Sequence, residues 1–423
     1  MRFNSLQQWL DWQPLSHVME MGLERVAEVA RRLAITDIAE TVITVAGTNG
    51  KGSTVASYET WLHNAGYTVA SYTSPHLLHY NERIKLNRQP ASDQAICEAF
   101  EAIDQVRDDM VLTYFEFGTL AALWLIQRLH PDYAILEVGM GGRLDAVNII
   151  DADLVHLTSI DIDHQNWLGH DREAIGFEKA GVLRKGIPVI CNDTDLPQSV
   201  QSEITRLDCQ AQQYQCDFTW QVGDRPGQYR WQQDDLSLML EPVLPGDYQL
   251  QNLAGVVAGL HQLLNLNHYQ AGMIQQYFSG TSHPGRFQQL DLPTNATVYV
   301  DVGHNQSAAR ALAASLATIK KPQSRITVIL GMLETKDSAA FVKALKHIVD
   351  TWWLLSLNTD GGLSATRLAE RVKTEIQPAQ IIETVGEALD RVASSAERDI
   401  ILITGSFVTV EQCLLALSNR DVK

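Results

Sequence analysis

The sequence predicts an α/β protein made of two domains, each with a mostly parallel sheet covered by helices. Three observations support this class. Strand-like and helical runs alternate along most of the chain, the alternation restarts after residue 286, and a polar-aromatic stretch between Cys209 and Leu244 interrupts it. The length of 423 residues suffices for two or three domains. We therefore expect one domain over residues 1–285 and a smaller one over residues 286–423.

In the first domain, we expect helices over residues 1–40 and alternating strands and helices after them. Apolar residues recur at helical spacing before residue 40, and the apolar run that starts at Thr41 is strand-like. The helix after this run is predicted to end near Gly66, since glycine suits a helix C-terminus. A further helix is predicted in FEFGTLAALWLIQRLH, and further strands in YTVASYTS, YAILEVG, ADLVHLTSI and IPVICN.

The rest of the chain predicts an insertion and then the second domain. Polar and aromatic residues alternate around glycine and proline between Cys209 and Leu244, which indicates a small antiparallel sheet, and the helical run QNLAGVVAGLHQLLNL follows it. The segment TSHPGR, Thr281–Arg286, has no regular pattern and is the expected joint between the domains. After it, alternating strand-like and helical runs predict a smaller, Rossmann-like α/β domain.

Composition limits the partners and the compartment. The net charge of −17 argues against nucleic acid or an anionic membrane as a partner. The five cysteines form no CxxC pair, which is typical of free thiols in a reducing cytoplasm. The first residues, MRFNSLQQWLDWQ, are too polar for a signal peptide, and no apolar run has transmembrane length. We expect a cytoplasmic, monomeric enzyme that acts on small molecules.

A glycine-rich segment lies between the strand that starts at Thr41 and the helix after it. It comprises Gly47, Thr48, Asn49, Gly50, Lys51, Gly52, Ser53 and Thr54. Glycines let several N–H groups of such a turn point into one concavity, and the helix N-terminus adds positive potential there. Lys51 can reach the outer phosphates of a nucleotide, and the hydroxyl of Ser53 or Thr54 can bind Mg²⁺. The segment therefore predicts a triphosphate-binding P-loop.

This P-loop departs from the usual pattern G-x-x-x-x-G-K-[ST]. Val45 stands at the position of the first glycine, and Gly52 separates Lys51 from Ser53. A turn without a ligand is the alternative, although the strand–loop–helix context favours a phosphate. Glu137 ends a predicted buried strand and precedes the glycines of GMGGR. A carboxylate at such a strand end is the expected partner of the P-loop in metal binding, with helix capping as its alternative role.

Eight motifs together resemble a known enzyme family. They are AGTNGKGS, SPHL, LTYFEFGTLAAL, LEVGMGGRLDAVN, TSIDIDH, FEKAGV, HPGR and DVGHN, in this order along nearly the whole chain. The chain resembles the folylpolyglutamate synthase and dihydrofolate synthase family, within the Mur-type ATP-dependent amide ligases. The resemblance implies that L-glutamate is joined to a folate-type carboxylate while ATP becomes ADP and phosphate. The motifs are most similar to the bifunctional type, which accepts dihydropteroate as well as reduced folates.

The resemblance also implies the cation sites. Ser53 and Glu137 would bind one Mg²⁺, and Ser74, Glu137 and His164 a second one, with K⁺ as a further candidate. His164 is an unusual ligand because Mg²⁺ prefers oxygen, and a hydrogen-bonded structural role is the alternative. Lys179 would be carbamylated and would help to place the metal, which requires a lowered pKa. An ordinary surface lysine is the alternative for Lys179.

Further residues are assigned by the resemblance to the nucleotide and to glutamate. Asn252 would contact adenine, or alternatively cap the helix that follows. Arg286, Asp301 and His304 would contact the nucleotide from the second domain, and Ser406 would lie near the glutamate. The expected catalytic residues are Lys51, Lys179, Asp301 and His304.

The folate-type acceptor is expected to lie against LTYFEFG and GGRLDAVN. Phe115 offers a ring that can stack on a pterin, with core packing as the alternative. Asp145 offers a carboxylate that matches the paired N–H donors of a pterin, and Thr113 is a further contact. Arg83 is also counted among the substrate-binding residues.

The expected mechanism follows from charge. A carboxylate does not react directly with an amine at neutral pH, so it must first become an acyl phosphate, which the glutamate amine then attacks. Water must be kept from that intermediate, and closure about TSHPGR is the expected device. Three alternatives are weighed against this reading: a monofunctional folylpolyglutamate synthase, a Mur-type cell-wall ligase, and a nucleotide-dependent switch without ligase turnover.

Overall fold

The computed structural model describes residues 2–12, 22–225, 227–292, 294–376, 378–396 and 398–421. The chain divides into two compact units. The first comprises Met1–Leu244 and Gln249–Ser282, and the second comprises Pro245–Tyr248 and His283–Lys423. Each unit contains its own sheet and its own helices, so the predicted α/β class is confirmed.

The main sheet of the first unit has eight strands in the order β4-β3-β2-β5-β1-β6-β7-β8. In chain order they are β1 (Thr41–Ala46), β2 (Val69–Tyr72), β3 (Ile84–Leu86), β4 (Gln89–Pro90), β5 (Tyr133–Glu137), β6 (Leu154–Leu157), β7 (Pro188–Cys191) and β8 (Gln210–Gln213). Only the pairs β2–β3 and β3–β4 are antiparallel. Since β1, β5 and β6 are parallel neighbours, their carboxyl ends meet at one edge of the sheet, where α/β proteins bind ligands.

Helices accompany this sheet in the first unit. They are α1 (Leu6–Trp12), α2 (Glu24–Arg32), α3 (Lys51–Asn64), α4 (Asp93–Val106), α5 (Tyr114–Leu129), α6 (Gln165–Leu168), α7 (Arg172–Lys179), α8 (Gln198–Arg206), α9 (Tyr248–Leu264) and α10 (Ala271–Tyr277). Gly66 follows α3 with a left-handed φ of 99°, as its predicted place at a helix end requires.

The prediction that residues 1–40 are helical is only partly correct. Among the described residues of this range, α1 and α2 are helical, but residues 35–40 form no helix. Residues 13–21 lie outside the described residues. The helical pattern ends at α2 because the chain must turn there into the first strand of the sheet.

The strand β1 is buried on both of its faces. Val42 packs in the hydrophobic cluster that contains α5 side chains, whereas Ile43 and Val45 pack in the cluster that contains α3 and α9 side chains. This explains why TVITVA is a nearly continuous apolar run, as expected for a central parallel strand. The loop that follows β1 therefore starts from a rigid, fully covered element.

The insertion is a three-stranded antiparallel sheet, as predicted. Its strands are β9 (Phe218–Val222), β10 (Tyr229–Gln233) and β11 (Leu236–Leu240), paired in the order β11-β10-β9. Trp231 is fully buried, and its indole N–H donates to the Ala254 carbonyl of α9 at 3.0 Å. That contact joins the insertion to the helix that flanks the P-loop.

The second unit has a six-stranded sheet in the order β12-β13-β17-β14-β15-β16. Its strands are β12 (Gln288–Leu290), β13 (Thr297–Asp301), β14 (Ile326–Leu330), β15 (Thr351–Leu355), β16 (Gln380–Ile382) and β17 (Ile400–Thr404). Its helices are α11 (Gln306–Ile319), α12 (Ser338–Leu345), α13 (Ala365–Val372), α14 (Val385–Ala393) and α15 (Phe407–Asp421). All pairs except the edge pair β12–β13 are parallel, which agrees with the predicted Rossmann-like domain.

Within the described ranges, none of the helices combines the length and the apolar character that crossing a membrane requires.

A buried histidine in the main sheet makes stability depend on pH. His156 of β6 is fully buried, and its Nδ1 lies 3.0 Å from the Tyr58 hydroxyl of α3, also fully buried. Burial lowers the pKa of His156 to about 3. The unfolded chain binds a proton near the ordinary pKa of 6.5, whereas the folded chain does not. The stabilising effect of the neutral imidazole is therefore complete above that value and is lost as the pH falls towards 3.

We expect acidification from about pH 7 to about pH 4.5 to lower the melting temperature less in His156→Asn than in the unchanged protein. The variant cannot titrate at this site, and the difference between the two proteins corresponds to about 2 to 3 kcal/mol at the lower pH. Thermal unfolding followed by circular dichroism measures it. Equal decreases in the melting temperature of both proteins would show that His156 does not titrate on unfolding.

Candidate active site

The P-loop connects β1 to α3 and requires glycine at two positions. Gly47 has φ 148°, and a Cβ there would lie 1.8 Å from the Thr158 hydroxyl oxygen. Gly50 has φ 91°, and its Cβ would lie 2.5 Å from Oδ1 of Asn252. Left-handed backbone and tight contact both exclude a side chain. The two glycines therefore let the loop bend closely between its neighbours.

The middle of the P-loop is held by the segment that follows β6. The Thr48 amide donates to the Ser159 carbonyl at 2.7 Å, and its hydroxyl donates to the Asp161 carbonyl at 3.0 Å. The Ser159 hydroxyl donates to the Asn49 carbonyl at 3.3 Å. These contacts fix the loop in place without using the amides at the start of α3. The N-cap residue, Gly50, has no side chain to accept from those amides, so the helix end presents N–H donors and positive potential.

Two lysines converge on one carbonyl of the P-loop. Lys51 Nζ donates to the Gly47 carbonyl at 3.1 Å and to the Thr48 carbonyl at 3.3 Å. Lys179, the last residue of α7, donates to the same Gly47 carbonyl at 2.7 Å. Lys179 is only 4% exposed, so it is not a surface lysine. The charge of Lys51 gives this loop local positive character, although the chain as a whole is acidic.

The pKa of Lys179 is lowered to about 7. Burial is the main cause because it disfavours the charged form, and the charge on Lys51 acts in the same direction. The carboxylates of Asp163 and Asp145 oppose this effect. A substantial fraction of this amine is therefore neutral, and hence nucleophilic, near neutral pH.

Glu137 lies at the end of β5, directly beside the P-loop strand. Its Cα is paired with that of Val45 in the register of β5 on β1. Its carboxylate is buried, and Oε2 accepts from the Ser74 amide at 3.3 Å. The structure thus brings together Glu137 and Ser74, two of the expected metal ligands.

Ser53 lies in the first turn of α3, and its side chain is linked to α9. The Gln249 side-chain amide donates to Ser53 Oγ at 3.0 Å, and the Asn252 side-chain amide donates to Gln249 Oε1 at 2.9 Å. Asn252 is the fifth residue of α9 and lies against Gly50. The alternative role of Asn252 as an N-cap is therefore wrong. Thr54 is fully buried and its hydroxyl has no hydrogen-bond partner among the described residues, so Ser53 is the better placed of the two hydroxyls.

The oxygen donors of this edge fit a magnesium-like cation. Ser53, Ser74 and Glu137 supply hydroxyl and carboxylate oxygens, which such ions prefer. Over the ranges that the structure describes, no group of three or more His, Cys, Asp or Glu side chains could hold a metal ion by itself. Mg²⁺ takes one or two carboxylates and completes its shell with water and substrate phosphates. His164 is exposed, with a left-handed φ of 51° before α6, and its role stays a prediction.

Thr113 and Asp145, two expected acceptor contacts, both cap local structure. Thr113 begins α5 in a capping box, because its hydroxyl accepts from the Glu116 amide and the Glu116 carboxylate accepts from the Thr113 amide. Asp145 accepts from the amides of Met140 and Val147 at 2.8 and 3.0 Å, so it organises the glycine-rich turn after β5. Burial raises the pKa of Asp145 to about 6, although the amide hydrogen bonds lower it.

Phe115 is half-buried and covers the glycine-rich turn. A Cβ at Gly139 would lie 2.5 Å from Cζ of Phe115, so glycine is needed for the ring to lie on the backbone. The Phe115 ring also lies 6.2 Å from the ring of Tyr72. The ring also packs against the hydrophobic cluster that contains α5 side chains, and stacking on a ligand stays a prediction.

Arg83 is a buried cation surrounded by neutral groups. Arg83 is only 7% exposed, and its Nε donates to His76 Nδ1 at 2.9 Å. Burial and the charge of Arg83 lower the pKa of His76 to about 4, so this imidazole is neutral. The guanidinium lies 5.3 Å from the ring centres of both Tyr80 and Tyr114. Within the described part of the chain, no carboxylate lies within ion-pair distance of Arg83.

The residues around Arg83 were not predicted from the sequence. His76 and Tyr80 lie close to Arg83 in the chain, whereas Tyr114 comes from α5 and meets Arg83 only in the fold. His76 belongs to the SPHL motif and Tyr114 to LTYFEFG, so proximity to quoted motifs was the available signal. Gln249 was also missed, because a glutamine three residues before Asn252 carries no signal of its own.

In the second unit, Asp301 ends β13 and is almost fully buried. Its carboxylate accepts from the amides of Gly303 and Phe287, both at 2.7 Å, and from the Tyr248 hydroxyl at 3.2 Å. Burial raises the pKa of Asp301 above its ordinary value, although the charge of Arg286 and these hydrogen bonds oppose the shift. Asp301 therefore fixes the loop after β13.

The other predicted residues of this unit lie near Phe407. The Arg286 guanidinium lies 5.0 Å from the centre of the Phe407 ring, and the His304 ring lies 6.5 Å from it. His304 Nδ1 donates to the Val302 carbonyl at 2.9 Å. The Ser406 hydroxyl is buried, accepts from the Thr409 amide and lies 2.7 Å from the Thr409 hydroxyl. Ser406 thus has a helix-capping role, and its contact with glutamate stays a prediction.

Comparison with known proteins assigns the chain to a family. The family model of the Mur ligase, glutamate ligase domain, matches residues 285–407. The dihydrofolate synthase/folylpolyglutamate synthase of Escherichia coli K12 is 36% identical to this chain over 419 residues. The match covers 98% of this chain and 96% of that protein.

Solved structures agree with the sequence comparison. The Escherichia coli FolC structure in complex with DHPP and ADP has a TM-score of 0.90 at 35% identity, over 99% of each chain. The bifunctional folylpolyglutamate synthase/dihydrofolate synthase of Yersinia pestis, complexed with AMPPNP and a Mn ion, has a TM-score of 0.89 at 38% identity, over 98% of each chain. Because the identity extends along nearly the whole chain, this protein belongs to the dihydrofolate synthase/folylpolyglutamate synthase family of Mur-type ligases.

Proposed function

We propose that this protein adds L-glutamate to dihydropteroate and to reduced folates, with ATP converted to ADP and phosphate. One observation carries this proposal: a P-loop with two lysines on one carbonyl, in a chain that matches bifunctional synthases along nearly its full length. The Escherichia coli and Yersinia pestis proteins have solved structures that hold ADP or AMPPNP.

In the proposed reaction, the P-loop and Lys51 hold the phosphates of ATP. An oxygen of the acceptor carboxylate attacks the terminal phosphorus, and the bond from that phosphorus to ADP breaks. The amine of glutamate then attacks the acyl carbon, the bond to phosphate breaks, and the amine loses a proton. Lys51 and the start of α3 stabilise the negative charge that gathers on the transferred group, which is the main demand of such steps.

The proposed cation sites use the oxygen donors at the sheet edge. Ser53 and Glu137 hold one Mg²⁺, while Ser74, Glu137 and His164 hold a second, and K⁺ is a further proposed cation. When bound, these cations offset the negative charge of the phosphates so that an anionic acceptor can approach. The oxygen chemistry of the donors and the short separation of Ser74 and Glu137 support this assignment.

Lys179 is the proposed site of carbamylation. Its neutral amine adds to CO₂ and loses a proton, which leaves a carbamate anion on the side chain. The burial of Lys179 and its pKa of about 7 support the proposal, because a protonated amine cannot react.

In the acceptor site, Arg83 is proposed to bind an anionic group of the substrate. A buried charge without a carboxylate partner costs free energy, and an incoming carboxylate removes that cost. Phe115, Asp145 and Thr113 are proposed to contact the pterin. The half-buried ring of Phe115 and its position on the glycine-rich turn support this placement.

The remaining proposals concern the nucleotide, glutamate and the whole molecule. Asn252 contacts adenine. The nucleotide is also contacted by Arg286, Asp301 and His304, and Ser406 lies near glutamate. Asp301 and His304 take part in catalysis with Lys51 and Lys179. We also propose a cytoplasmic monomer with domains over residues 1–285 and 286–423.

Replacing Arg83 by glutamine is expected to raise the KM for the folate-type acceptor by at least about tenfold. A charge-assisted hydrogen bond contributes about 1.5 to 3 kcal/mol, and the variant loses it. The KM for ATP should change little, because Arg83 lies outside the P-loop. Steady-state kinetics measure both constants, with Arg88→Gln as a matched surface control, since the Arg88 guanidinium donates to the exposed Asn64 side chain and to the Gly280 carbonyl. An unchanged acceptor KM in Arg83→Gln would remove Arg83 from the site.

The proposed function is tested by supplying ATP, Mg²⁺ and L-glutamate with either dihydropteroate or tetrahydrofolate. We expect ADP release with each acceptor, and products heavier by one glutamyl residue in mass spectrometry. Release with tetrahydrofolate alone would identify a monofunctional folylpolyglutamate synthase. Release with neither acceptor would contradict the proposal, and would favour a cell-wall ligase or a nucleotide-dependent switch.

A further inference from the structure

We propose that Gln249 is a positioning residue that aims the Ser53 hydroxyl at the metal bound to the nucleotide. This inference rests on the proposed function, since it requires Ser53 to be a metal ligand. It adds a residue outside the P-loop to the cation site, on a different helix. The residue was not indicated by any motif in the sequence.

The side chain of Gln249 is placed by two hydrogen bonds. Its Nε2 donates to Ser53 Oγ at 3.0 Å, and its Oε1 accepts from Asn252 Nδ2 at 2.9 Å. Gln249 is 3% exposed and Ser53 is 2% exposed, so water does not compete for these bonds. Asn252 itself lies against the backbone of Gly50. The contacts therefore run from the first turn of α3 through α9 and back to the P-loop.

The direction of the hydrogen bonds matters for metal binding. A serine oxygen has two lone pairs and one hydrogen. Gln249 donates into one lone pair, which leaves the other lone pair of Ser53 for a cation. The bond from Asn252 to Oε1 fixes which end of the Gln249 amide faces Ser53, because Asn252 Nδ2 can only donate. The amide is neutral, so it orients the hydroxyl without adding charge to the site.

Without the Gln249 side-chain amide as donor, the Ser53 hydroxyl can adopt other orientations. A serine in a helix tends to turn its hydroxyl towards the carbonyl four residues earlier, which for Ser53 is that of Asn49. Such a bond commits the hydroxyl to a backbone carbonyl rather than to a cation. Partners that orient a metal ligand typically contribute 10- to 100-fold to metal affinity. Gln249 is the partner that orients Ser53.

The test measures metal affinity rather than turnover. AMPPNP is bound to the purified protein, and free Mn²⁺ is titrated by electron paramagnetic resonance to give the Kd of Mn²⁺ in the complex. We expect Gln249→Met, which keeps the length of the side chain and removes both hydrogen bonds, to raise this Kd about tenfold. The affinity for AMPPNP in EDTA should change less than about threefold, because the phosphate-binding amides are untouched.

Two comparisons separate positioning from a merely structural role. Gln251→Met is the matched control on the same helix; its amide bonds to the Asn192 carbonyl and not to the P-loop. Its Kd for Mn²⁺ should stay within twofold of the unchanged protein. In a Ser53→Ala background, Gln249→Met should have no further effect on Mn²⁺, because its target is gone. If Gln249→Met is insoluble, Gln249→Asn, one methylene shorter, carries the same expectation.

An unchanged Kd for Mn²⁺ in the Gln249 variant would overturn the inference. The inference would also be overturned if Gln249→Met raised this Kd in the Ser53→Ala background as much as in the unchanged protein. Either result leaves the proposed function intact. If the unchanged protein binds no AMPPNP at all, the proposed function fails instead, and the two failures are thus distinguishable.

Discussion

Replacing Lys51 by methionine is expected to lower the rate of glutamate addition by about 10³-fold, equivalent to about 4 kcal/mol of transition-state stabilisation. Lys51 is the cation of the P-loop, and its amine lies at the carbonyls of Gly47 and Thr48, where the phosphates are proposed to bind. Methionine keeps the apolar stem but removes the charge, so the loop can fold without being able to stabilise the transferred phosphoryl group.

The measurement is ADP release with dihydropteroate and, separately, with tetrahydrofolate. Lys185→Met is the control, because Lys185 is exposed and its loss should leave the rate unchanged. Circular dichroism and the melting temperature should be close to those of the unchanged protein. If Lys51→Met retains more than about a tenth of the activity, the glycine-rich segment is not the phosphate site, since the loss expected at such a site is far larger.

Lys51→Met should also raise the pKa of Lys179. The charge of Lys51 is one of the two causes that lower that pKa, and the two amines share the Gly47 carbonyl. Removal of Lys51 leaves burial as the remaining cause. The variant therefore weakens the site twice, once at the phosphates and once at the lysine proposed for carbamylation.

Replacing Lys179 by alanine is the second change with a large expected effect, again about 10³-fold on the rate. The alanine variant cannot form a carbamate, and a buried amine that contacts the P-loop is lost. A small carboxylate such as acetate, supplied at high concentration, should restore part of the activity by replacing the missing anion. Lys179→Ala with full activity and no response to acetate would contradict the proposed role.

The carbamate itself can be observed directly. After incubation with ¹³C-labelled bicarbonate, we expect a carbamate resonance in the ¹³C spectrum that is present in the unchanged protein and absent from Lys179→Ala. The pKa of about 7 sets the pH dependence: the neutral fraction of Lys179 is nearly complete above that value and falls about tenfold per pH unit below it. The signal and the activity should therefore both decline on acidification below about pH 7. Lys185→Met should keep the resonance.

The architecture was largely predictable because alternating strands and helices leave strong patterns. The run TVITVAG predicted β1, and the turn after it predicted the P-loop, since only glycines allow the contacts at Gly47 and Gly50. Two strands of the second unit have much weaker patterns. The strand β16 has three residues and is exposed along much of its length, so it carries little apolar signal. The strand β12 is an antiparallel edge strand of three residues, with the same weakness.

The individual site residues were predictable only where a motif carried them. Glu137 could be placed because a buried strand ends in a carboxylate, and the register with β1 then brings it to the P-loop. Contacts made across the fold gave no such signal. Gln249 reaches Ser53 from nearly two hundred positions away in the chain, and Arg83 meets Tyr114 only after folding. Sequence patterns report local structure, whereas these pairs depend on tertiary packing.

The most direct measurement is a crystal structure of this protein with AMPPNP and Mn²⁺. We expect the triphosphate on the amides at the start of α3, Lys51 beside the terminal phosphate, and electron density for Mn²⁺ within bonding distance of Ser53 and Glu137. A nucleotide bound elsewhere on the first unit, or Mn²⁺ bound without either of these two side chains, would contradict this expectation.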